Sequence, residues 1–132
     1  MLDATDDTFR VFIHVLAATI WVGGQLTLAG LMPGLRDLSA DAPRAVARRF
    51  NRIAWPAYTV LVATGAWNVV ALDPDWDSDY GRTVMLKIAV VAASGASAFL
   101  HARASSRRGL AAFGAASGLT ALGALFLGVL LG

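Results

Sequence analysis

Residues 11–32, 53–72, 84–100 and 110–131 form four nearly unbroken runs of apolar side chains, and the charged residues gather between them. Each run holds about 17 to 22 residues, enough for an α-helix rising 1.5 Å per residue to cross a hydrocarbon core. The runs lack the strict alternation of a barrel strand, and they favour Ala, Leu and Gly over the β-branched residues of such strands. The pattern predicts an all-α integral membrane four-helix bundle, a single domain over residues 1–132. The four spans consume most of the chain and leave no room for a separate soluble domain.

Breakers and caps refine the boundaries. Met32, Pro33 and Gly34 predict the end of the first helix. The stretch SADAPRAVARRF predicts a short amphipathic helix on the inner surface, with Ser39 or Asp41 as cap and Pro43 early in it. Pro56 falls in the first turn of the second span, where its missing N–H costs little. Trp55, Trp76 and Tyr80 are placed as interfacial anchors. Gly114 and Gly118 make a small-residue pattern suited to close helix packing.

Charge orients the spans. The loop between the first two carries Arg36, Arg44, Arg48, Arg49 and Arg52, and the loop between the last two carries Arg103, Arg107 and Arg108. The N-terminal tail has Asp3, Asp6 and Asp7 against Arg10, and the middle loop has Asp73, Asp75, Asp77 and Asp79 against Arg82. Basic loops stay cytoplasmic, so both termini are expected on the outer side of a bacterial inner membrane. The acidic lead-in and the long apolar run argue against a cleaved signal peptide. With no cysteine, disulfides, thiolate metal sites and iron–sulfur clusters are excluded. A net charge of +2 concentrated in short loops points to lipid headgroups, not nucleic acid.

Polar residues inside the spans are the candidates for chemistry. At about 100° per residue, His14, Trp21 and Gln25 share one sector of the first helix, a stripe expected to face other helices rather than lipid. In the expected topology His14, Asn68 and Lys87 each lie about one turn below the outer boundary on three different helices. An intramembrane ionisable residue is expensive and marks a functional site by default. Plainer roles stand beside this one. Lys87, the only lysine, has a stem long enough to snorkel. His14 is able to make an interhelical hydrogen bond, with Asn68 as a partner, and Trp21 and Gln25 suit packing below the site. His101 lies at the inner end of the third span, roughly 20 Å of depth from Lys87, and reads as a headgroup-level histidine.

The residues also carry a family resemblance. His14 with WVGG at 21–24, RRF at 48–50, TG at 64–65 and YGRTVMLK at 80–87 resemble the copper-resistance D (CopD) domain, from the first span to about Arg103. The resemblance implies a four-helix membrane unit for copper handling or transport with a periplasmic copper-binding partner, and the small interior of four helices makes a homo-oligomer the other expectation. The His and Trp-x-Gly of the first span with a lysine in the third are also similar to the HemJ-type protoporphyrinogen oxidases. That likeness implies a haem b or porphyrin site near His14 and Lys87 and an oxidoreductase activity, although the Pro33–Arg36 stretch matches the group poorly. A non-enzymatic role is the first expectation.

The donor set bears on the choice. Cu(I) favours sulfur, and of Met1, Met32 and Met85 only Met85 lies near the outer level. The expected metal ligands are therefore His14 and Met85, with Asn68, Lys87, Trp21 and Gln25 around a copper ion or, alternatively, haem b. A protonated lysine repels a metal but suits a porphyrin propionate. A third expectation is a structural membrane subunit whose polar stripe only packs.

Overall fold

A computed structural model describes residues 3–132, and among these residues every regular element is helical. α1 is Asp6–Ala18, followed by a π-helical turn at Thr19–Gly23; α2 is Gly24–Leu38, α3 Ala42–Leu72, α4 Asp79–Arg103 and α5 Arg107–Leu130. α1, the π-turn and α2 run on as one helical stretch, so four stretches are long and apolar enough to cross a membrane. The chain divides into two compact units, Met1–Leu72 and Asp73–Gly132.

The helices begin ahead of the apolar runs because local caps place the boundaries. α1 starts at Asp6, where Thr5 and Thr8 form a capping box and Asp6 and Asp7 occupy the first turn, favourable for the helix dipole. Ser78 caps α4 through Gly81 N–H, and Ser106 caps α5 through Gly109 N–H, so these helices begin three to five residues ahead of the apolar runs.

Two expectations are corrected. Met32, Pro33 and Gly34 do not end the first helix; α2 continues to Leu38 with Pro33 inside it. A proline removes one backbone bond, and the helix closes where Ser39 turns extended and accepts from Ala42 N–H at 3.1 Å. Nor is there a separate inner-surface helix. Residues 42–52 are the opening turns of the 31-residue α3, so Pro56 lies mid-helix instead of in a first turn.

In the first unit α1 and α2 pack on α3, with Ala17, Trp21, Val22, Ala54, Ala57 and Leu61 buried between them. In the second unit α4 packs on α5 through small residues. Ser94 and Ser117 are buried and exchange side-chain-to-carbonyl bonds at 3.4 Å, with Gly95 and Ala121 alongside. The small-residue seam thus runs through Gly114, Ser117 and Ala121, and Gly118 lies off it. A Cβ at Gly118 would meet nothing within 4 Å, and one at Gly114 would stand 3.1 Å from the His101 ring. Outward faces are apolar, with Phe9, Phe12, Val15 and Leu16 exposed on α1 and Leu119, Phe126 and Val129 on α5. Such faces suit lipid, since most of a single span's surface has no protein to cover it.

Candidate functional site

The face between α1 and α3 holds the polar groups of the first unit in successive layers. Arg10 and His14 are one turn apart on α1, and Asn68 and Thr64 are one turn apart on α3, running the other way. Arg10 Nε donates to Asn68 Oδ1 at 2.7 Å, and Arg10 Nη1 pairs with Asp7 Oδ1 at 2.9 Å. His14 Nδ1 and Thr64 Oγ1 lie 2.9 Å apart. Asn68, the partner offered to His14 by the sequence, accepts from Arg10, and the histidine meets Thr64.

The hydroxyl decides the tautomer of the ring. Thr64 Oγ1 has one proton, and it points back along α3 to Val60 O at 2.7 Å. Its oxygen therefore accepts from His14, and Nδ1 carries the hydrogen. That places the lone pair of a neutral ring on Nε2, the arrangement in which a histidine ligates a metal while its other nitrogen is held in place. Gly65 completes the seat. A Cβ there would stand 3.4 Å from His14 Cε1, so the imidazole lies against the helix backbone.

Below this layer the aromatic groups pack. Trp21 is 3% exposed, and its ring centroid lies 4.5 Å from that of Tyr58 and 5.6 Å from that of Trp55. Trp55, expected as an interfacial anchor, is half-buried in this cluster, whereas Trp76 and Tyr80 are exposed as anchors should be. Gln25 is half-buried at the start of α2. Thr19 is exposed and donates to Val15 O at 2.8 Å, a local bond to its own helix backbone. The Phe50 ring occupies the space left by the missing Gly24 side chain. A nearby apolar groove, lined by Ile13, Leu16, Ala17, Ile20, Ala57 and Val60, offers nothing that binds an ion.

The second unit holds the other candidates. Lys87 is half-buried, and its Nζ would lie 3.2 Å from a Cβ at Gly128 in the last turn of α5. The ammonium there meets the electronegative end of a helix dipole. Met85, two residues away, turns to a different face of α4 and is 47% exposed. His101 Nδ1 donates to Leu110 O at 2.9 Å, tying the end of α4 to the start of α5. The Asp-rich stretch is an ordered turn. Asp77 N–H meets Asp75 Oδ1 at 3.1 Å, Ser78 N–H meets Asp75 O at 3.1 Å, and the Asp75 carbonyl lies directly over Gly81.

Among the described residues no group of three or more His, Cys, Asp or Glu is placed to hold a metal ion. A single imidazole is too sparse a donor set to store a metal ion. Arg10 and Thr64 are the residues that sequence reasoning missed. Arg10 read as a tail cation, and Thr64 entered only as half of a TG motif. The signal was a four-residue spacing on both helices, 10 to 14 and 64 to 68, which becomes readable once α1 and α3 are known to be antiparallel neighbours.

The family model for Copper resistance protein D matches residues 44–131. The match includes RRF, TG and the YGRTVMLK string and extends through α5, beyond the Arg103 limit of the resemblance, while His14, Trp21 and Gln25 precede it. No curated protein and no solved structure is similar enough to match the chain.

Proposed function

This multi-pass membrane protein belongs to the copper resistance protein D family, and from that premise we propose that it handles copper as cargo, with His14 as the ligand that receives the ion. The observation carrying this reading is the bond from His14 Nδ1 to Thr64, which orients Nε2 as the donor. TG is part of the stretch matched by the family, so Thr64, which holds the ring, lies inside the match even though the histidine precedes it. The basic loops support an orientation in which the Arg10–Asn68 end of the first unit faces outward. Copper then enters from outside, and no chemical step beyond ligand exchange is required.

Metal binding by the purified protein tests the reading. His14→Ala should remove bound Cu(I) or its analogue Ag(I) while the protein still inserts, because four apolar spans drive insertion independently of one polar group. A variant that binds as the parent does would make His14 a packing residue. Buried Arg10 beside His14 favours a second reading, a haem b that His14 would ligate and whose carboxylate Arg10 would pair with. A Soret band in the purified protein would select it.

A further inference from the structure

Arg10 is 7% exposed and lies one turn from His14 on the same face of α1. Its guanidinium is fixed by two partners, Asn68 through Nε and Asp7 through Nη1. The counter-charge is not equivalent to the charge. The Arg10 side chain is 9% exposed and that of Asp7 76%, so water screens the carboxylate far more than the guanidinium. An ion at His14 therefore faces a net positive field from a guanidinium anchored on the neighbouring turn of α1.

We infer that Arg10 is a specificity-determining residue that makes the His14 site selective for monovalent over divalent metal ions. This rests on the reading that His14 binds metal, and it names the charge state of the cargo. Coulomb repulsion scales with the charge of the ion, so a fixed cation penalises a divalent ion twice as heavily as a monovalent one. One neutral imidazole supplies no negative charge to offset that penalty. Cu(I) and Ag(I) carry the smaller cost, whereas Cu(II) and Zn(II) carry the larger, despite an imidazole that would otherwise serve them well. The arrangement excludes abundant divalent ions without a cage of ligands. Asn68 contributes by holding the guanidinium in the layer above the ring with a neutral acceptor; an aspartate there would hold the same geometry and cancel the charge.

The test is a pair of titrations of the full-length purified protein, one with Ag(I) and one with Zn(II), followed by metal analysis of the washed protein. In Arg10→Gln and in Asn68→Asp the Ag(I)-to-Zn(II) affinity ratio should fall by on the order of tenfold, through a gain in Zn(II) binding that exceeds any gain in Ag(I) binding. Arg10→Lys, which keeps the charge, should hold the parental ratio. If Arg10→Gln fails to fold, Asn68→Asp, similar in size to the parent side chain, decides. Should His14→Ala abolish Ag(I) binding while Asn68→Asp leaves the ratio within about twofold, the inference is overturned and the copper reading stands. Should His14→Ala retain both metals, the reading itself is overturned, and the inference with it.

Discussion

Thr64 shows how much one hydroxyl settles. It donates to the carbonyl of Val60 one turn back, and this internal bond turns its oxygen into an acceptor for His14. Removing the oxygen while keeping the β-branched shape should release the ring without opening a large cavity. Thr64→Val is expected to cost about 1 kcal/mol of stability for the lost bond. Loss of an orienting partner behind a metal-binding histidine typically lowers metal affinity about 10- to 100-fold, and Ag(I) titration should show a fall of that size. Thr64→Ser, which restores the oxygen, should recover most of it. Equal Ag(I) affinity in parent and Thr64→Val would mean that the bond serves folding alone.

The elements owe their close approaches to particular glycines, and those glycines do not carry equal consequences. Gly24 makes room for the tip of the Phe50 ring, which has freedom to swing aside. Gly81 makes room for the backbone of the 73–78 turn, where Asp75 O and Trp76 Cα crowd the position a Cβ would take. Backbone held by the Asp75 and Ser78 bonds has no such freedom. Gly81→Ala should therefore destabilise the second unit by about 2 kcal/mol, the range for forced overpacking, read by thermal unfolding in detergent. Metal binding at His14 should persist in that variant, since Gly81 belongs to the other compact unit. Loss of metal from a folded Gly81→Ala protein would instead assign the YGR motif to the metal site. The π-turn at Thr19–Gly23 is the other irregular element. It adds a residue to one helical turn, and the buried Trp21 is at its centre.

Across the whole molecule the basic and acidic segments alternate with the spans. α3 alone is 31 residues, far longer than a hydrocarbon core requires, and its first turns carry Arg44, Arg48, Arg49 and Arg52, all exposed, as suits residues that meet headgroups. The orientation that follows has a direct check. A cysteine at Asp77, exposed in the acidic turn, should react in intact cells with a thiol reagent that does not cross membranes. A cysteine at Ser105, between α4 and α5, should stay unlabelled until the membrane is opened. The reverse pattern would place His14 near the cytoplasmic face and turn the proposed direction of copper entry around.

The sequence by itself determined the number of spans, their helical form and the membership of RRF, TG and YGR in a recognisable family, because these depend on local composition and short spacing. It put His14 and Asn68 at one level, whereas the structure sets them in successive layers, Asn68 with Arg10 and His14 with Thr64. Only the tertiary structure decided how the polar groups pair. Which of Arg10, Thr64 and Asn68 meets His14 depends on the register of two antiparallel helices, and a slip of one turn would exchange the partners. It also decided where the first helix ends, since Pro33 looked decisive locally yet costs one hydrogen bond in a stretch held by α3. The burial of Arg10 was hidden for the same reason. A cation beside acidic residues at the start of a span reads as solvated, until the neighbouring helix supplies the amide that takes it inside.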